Sequence, residues 1–154
     1  MESAFLDIDL KTMLSYLFRM GLAFGLALPV AWDREQEGRT LGLRTFPLVA
    51  MASAGYILVA QSVLGFGSEG QSRIIQGLMT GIGFLGGGAI VKQGMSVKGA
   101  ATAATIWSTA AVGAAVAYAR YEIALVLTLV NFAVLRTMDP LKDAVNDDSD
   151  ASDG

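Results

Sequence analysis

Four charged residues stand where a long apolar run ends: Asp33, Arg34, Glu35 and Glu37. On a helix continued by one more turn, Asp33 and Glu37 share a face at i,i+4, and Glu35 can pair with Arg39. Carboxylates grouped in this way would suit Mg²⁺ at a cation entry site, because that ion keeps most of its waters and needs only one or two acidic ligands. They would also suit an interfacial salt-bridge network that fixes the depth of the helix. Arg34, Arg39 and Arg44 nearly neutralise the cluster, which favours the network. A second polar stripe is Thr102, Thr105 and Thr109, at helical spacing in a segment of mostly small residues, with Gly113 continuing it. In membrane helices such hydroxyls usually bond back to the carbonyl four residues earlier or across to a neighbouring helix. The other reading is a polar path for an ion. Gln61 and Asn131 are single polar residues in apolar spans, and interhelical hydrogen bonding accounts for both.

What is missing narrows the chemistry. The chain has no cysteine and no histidine. Disulfides and thiolate chemistry are excluded, and so are the commonest general base, transition-metal ligand and pH switch. No catalytic or cofactor-binding constellation stands out, so a non-enzyme is expected. Nothing points to nucleic acid. Of the 154 residues 53% are hydrophobic and 16% charged, against about 25% charged in soluble domains. Lipid is therefore the expected surrounding. Met1 to Asp9 is acidic and does not read as a signal peptide.

The elements that must hold these residues are apolar helices. Runs long enough to cross a hydrocarbon core of ~30 Å cover 13–32, 46–63, 74–91, 100–118 and 123–138. The last is short and reaches 138 if Arg136 snorkels. Arg19 sits near the outer end of the first span, where it too can snorkel. Thr45 reads as the N-cap of the second helix, with Pro47 in its first turn. Residues 1–138 form one transmembrane domain, and 139–154 form an acidic, disordered tail. Asp148 and Asp150 lack the glycine and distal glutamate of a calcium loop. Lys11, Arg19, Arg73 and Arg120 fall on one side of the membrane. Arg34, Arg39, Arg44, Lys92, Lys98, Arg136 and Lys142 fall on the other. The richer side should be cytoplasmic, which puts the N-terminus outside and the C-terminus inside.

The third run, from Gly77 to Val91, holds six glycines and no charge. Each interior glycine costs roughly 1 kcal/mol relative to alanine in a soluble helix, but lipid forces backbone groups to pair within the segment. Gly77, Gly81 and Gly88 fall on one face, Gly83, Gly86 and Gly87 on another. Both faces invite close neighbours. The sequence therefore predicts an all-α membrane bundle of about five helices with this helix at its centre, and a homodimer using one of its faces. Gly81 to Gly86 also spells G-x-G-x-x-G. A dinucleotide site would need a preceding strand and an acid about 20 residues on, and no acid follows before Glu122.

Three motifs in order resemble the MgtC/SapB family of bacterial inner-membrane proteins. They are Arg34-Glu35 with Gly38 and Gly42-Leu43-Arg44-Thr45, then Gly81-Ile82-Gly83-Phe84-Leu85-Gly86-Gly87-Gly88, then Gly99 through Thr102 and Thr105 to Trp107. The resemblance covers roughly 15–138. It implies a helical domain in the bacterial plasma membrane and a link to growth at low Mg²⁺ and, in pathogens, to survival inside host cells. It further implies either ion handling or regulation of other membrane machines, the F-type ATP synthase among them. The chain departs from the family pattern at Asp33, where glutamate is usual, at Pro29 and Ala31, which stand near family glycines, and at Ala100-Ala101, where Leu-Thr is usual. Longer members carry a cytoplasmic C-terminal domain, where this chain has its acidic tail.

Overall fold

The computed structural model describes residues 9–36, 42–65, 67–93 and 96–152, of which 93, 96 and 139–152 are described by their backbone. Glu37 and Arg39 lie outside the described residues. Five helices follow one another: α1 (Leu10–Gln36), α2 (Thr45–Leu64), α3 (Glu69–Ala89), α4 (Ala100–Ala117) and α5 (Tyr121–Ser152). Between α3 and α4 lies an antiparallel hairpin of β1 (Val91–Gln93) and β2 (Ser96–Lys98), pairing Val91 with Lys98 and Lys92 with Val97. Among the described residues four helices are long and apolar enough to cross a membrane: α1, α2, α4 and α5 as far as Met138. The molecule is an all-α membrane bundle.

Asp9 starts α1. Its carboxylate accepts from the Lys11 and Thr12 backbone N–H groups and from the Thr12 hydroxyl, satisfying donors that the first turn leaves over. The start of α2 differs from expectation. Thr45 is its first helical residue, and Arg44 takes the cap position with no side-chain bond to the helix. The Gly42 carbonyl supplies the missing partner, accepting from Thr45 N–H at 3.1 Å and Phe46 N–H at 3.3 Å. At the other end of the chain, α5 runs as helix from Tyr121 to Ser152. Extending an anchored helix fixes one residue per bond gained, whereas starting one fixes three.

The centre of the bundle is α4, which touches all four other helices. Val112 and Val116 of α4 pack with Ala23 and Ala27 of α1, Ala54 and Ile57 of α2 and Ala124 of α5. A second cluster joins Ala31, Phe46, Val49, Ile82, Ile106 and Ala110. The glycine helix is not central. Among the described residues it packs mainly against α2 and α4, and a Cβ added at Gly77, Gly81, Gly83, Gly87 or Gly88 would meet nothing within 4 Å. Of the six glycines from Gly77 to Gly88, Gly86 alone approaches a neighbour, with the Ala103 carbonyl 3.4 Å from such a Cβ. The reason is that van der Waals packing drives association in lipid. Alanine, threonine and valine all round α4 allow close approach and still offer atoms to touch, whereas bare glycine offers few. The third helix also ends at Ala89 rather than at 91, because Ile90 turns extended and the hairpin begins.

Candidate functional site

Alternating helix directions bring the three motifs to one end of the bundle: the end of α1, the starts of α2 and α4, the end of α3, and the Arg136 level of α5. α1 stays helical through Gln36, so Asp33, Arg34 and Glu35 are helical residues. Arg34 is fully buried and Asp33 is 6% exposed. Arg34 Nη2 donates to Asp33 Oδ2 at 3.1 Å, and Arg136 Nε of α5 lies 3.6 Å from Asp33 Oδ1. Asp33 thus ties α1 to α5 as well as to its own neighbour. Glu35 is turned to the connection instead: its Oε2 accepts from Leu43 N–H at 3.0 Å. A Cβ at Gly42 would push the Glu35 carboxylate away from this bond.

Of the proposed metal group, Asp33 and Glu35 are therefore engaged with different partners, and Glu37 lies outside the described residues. Among the described residues no three carboxylates come together as a metal-holding group. Arg136, read from the sequence as a snorkelling residue, is the partner that sequence reasoning missed. The only signal was a lone arginine in an apolar run.

The threonine stripe faces the interior. Thr102, Thr105 and Thr109 are all buried, and two hydroxyls return to their own helix: Thr105 Oγ1 to Ala101 O at 2.7 Å and Thr109 Oγ1 to Thr105 O at 2.8 Å. Trp107 instead points outward, half exposed. Gly99 opens α4 with φ +93°, and a Cβ there would strike the Ala89 carbonyl, so the hairpin can close only on glycine. At the opposite end, Arg19 Nη1 and Gln61 Nε2 both donate to Ala117 O, at 2.8 and 3.3 Å. Gln61 makes the interhelical bond expected of it. Arg19 places positive charge on the carbonyl end of α4, where the helix dipole favours it.

Comparison with known proteins agrees with the motifs. Residues 20–144 match the profile of the MgtC family. The chain is 36% identical over 130 residues to protein SrpB of Synechococcus elongatus, covering 77% of this chain and 71% of that one. It is 34% identical over 118 residues to protein MgtC of Salmonella typhimurium, covering 77% and 50%. An uncharacterized protein of Synechocystis sp. is 44% identical over 97 residues, covering 63% and 41%. The chain thus spans about half the length of the Salmonella MgtC protein and less of the Synechocystis one. No solved structure matches it significantly. Residues 34–35, 42–45, 81–88 and 99–107 all lie inside the matched region, and the chain is a multi-pass membrane protein belonging to the MgtC family.

Proposed function

We propose that this chain is a non-enzymatic, plasma-membrane protein linked to magnesium limitation, which acts by regulating another membrane protein and does not itself conduct ions. The observation that carries this reading is the state of the threonine stripe. Thr105 and Thr109 give their hydroxyl protons to carbonyls of α4, which is how buried threonines in a membrane helix are satisfied without a ligand, and α4 carries no ionisable side chain to balance an ion. An ion at mid-membrane is very costly without such groups. At the mouth, Asp33 lies between two guanidiniums, which favours a structural pair over a Mg²⁺ site. The competing reading is a cation channel or transporter entered at Asp33, Glu35 and Glu37. A homodimer through the open Gly83 and Gly87 face accompanies the regulatory reading, and the F-type ATP synthase is the candidate partner.

Cation flux into liposomes containing the purified chain separates the two readings. The expected result is no Mg²⁺ flux above empty liposomes, together with altered ATP hydrolysis when the chain is added to membranes carrying the F-type ATP synthase. Robust flux abolished by Asp33→Asn and by Thr105→Val would overturn the regulatory reading.

A further inference from the structure

A groove of about 710 Å³ runs between α2 and α3. Leu48 and Ala52 form one wall, and Gly77, Gly81 and Leu85 form the other. The glycines account for its depth, because a side chain at Gly77 or Gly81 would enter empty space. Arg44 and Thr45 stand at one end of the groove, Tyr56 and Arg73 at the other. At 1.5 Å per residue, the α2 wall from Arg44 to Tyr56 is roughly 18 Å long, comparable with one leaflet of a core ~30 Å thick. Leu48 and Leu85 are both exposed at its rim, so the groove opens sideways into the hydrocarbon.

The two ends differ in charge. Arg73 follows Glu69 by one helical turn, at the spacing where opposite charges offset each other. Arg44 has no such companion. It enters neither described ion pair, and the described acids at the adjoining end of α1 are engaged elsewhere, Asp33 with Arg34 and Arg136, Glu35 with Leu43 N–H. Lys92 and Lys98 of the hairpin add positive charge at the same end of the bundle. A guanidinium grips phosphate through parallel N–H bonds, and the neighbouring Thr45 hydroxyl supplies a further donor.

We propose that this groove is a binding site for an anionic phospholipid of the bilayer. Its headgroup phosphate rests on Arg44 and Thr45, and one acyl chain lies along Leu48, Ala52 and the glycine face of α3. Native mass spectrometry of the full chain in detergent tests it, with dioleoyl phosphatidylglycerol or dioleoyl phosphatidylcholine added. Phosphatidylglycerol should be retained about tenfold more tightly, and Arg44→Gln should remove that preference, whereas Arg73→Gln should keep it. Gly81→Leu fills the groove without a clash and should weaken retention of both lipids by about tenfold or more. Gly25→Leu, at an equally open position of α1 away from the groove, should retain them as wild type does, and matching melting curves for the two leucine variants would show that the loss is not unfolding. Equal retention of the two lipids by wild type, or undiminished retention by Gly81→Leu, overturns the proposal. So does a lipid-free dimer that Gly81→Leu disperses, which would assign the groove to a second copy.

Discussion

Gly113 of α4 lies directly against the backbone carbonyl of Ala50 in α2, so closely that no Cβ could be placed between them. This contact sets the approach of the two helices at the heart of the bundle, and each side of it is flanked by fully buried small residues, Ala54 and Val116 among them. The glycines of α3, far more conspicuous in the sequence, make no comparable contact within the chain.

Gly113→Ala should therefore be costly, by about 1–3 kcal/mol if overpacking behaves as in soluble cores. Gly87→Ala should be neutral or mildly stabilising, since it removes a flexible residue from an open helix face. Thermal unfolding of the purified proteins in one detergent gives the comparison. Equal melting of the two variants would contradict the packing described.

The Asp33 carboxylate should matter more than its α5 partner. Asp33→Ala removes a partner from the wholly buried Arg34, and breaking a buried pair costs roughly 3–5 kcal/mol in soluble proteins. Arg136 is 64% exposed, so Arg136→Gln should cost about 1 kcal/mol or less and lose its effect in high salt. Unfolding measured at low and high salt would reveal a reversed order.

At Gly99 two effects act together, the positive φ and the contact with the Ala89 carbonyl. Gly99→Ala should lower stability by about 2 kcal/mol or more and loosen the hairpin, read as faster amide exchange at Lys92 and Lys98. Unchanged exchange would show that the turn adapts easily.

Asp9 gives the start of α1 a pH dependence. The Thr12 hydroxyl, then the Lys11 N–H, hold its carboxyl below the ordinary 3.8. A folded-state value below the unfolded one means the cap contributes above the unfolded value and is lost as pH falls through the folded one. Protection of the Thr12 and Met13 amides, taken relative to their intrinsic exchange rates, should fall in wild type as pH drops below the ordinary 3.8, and Asp9→Ala should be weakly protected throughout.

Topology is open to direct test, because the chain has no native cysteine. Cysteines introduced at Ser96 and Ser152 should label from the cytoplasm, and one at Ser68 from the periplasm, following the arginine and lysine asymmetry. Labelling of Ser68→Cys from inside would reverse the orientation.

What the sequence determined by itself is what depends on composition and local order. Apolar runs bounded by Lys11, Asp33, Arg44 and Arg120 announced helices in lipid, since chain without water must bond within itself. The motifs at 34–45, 81–88 and 99–107 announced the family, and Gln61 announced a bond across helices. The position of α4 at the centre, the Asp33–Arg136 pair and the capping of Ala117 by Arg19 and Gln61 were decided only by the tertiary structure. Each depends on how helices distant in sequence rotate and how closely they approach. Glycine shows the limit most clearly: it marks where a neighbour could come close, but whether one does depends on the atoms that neighbour has to offer, and here those atoms line α4.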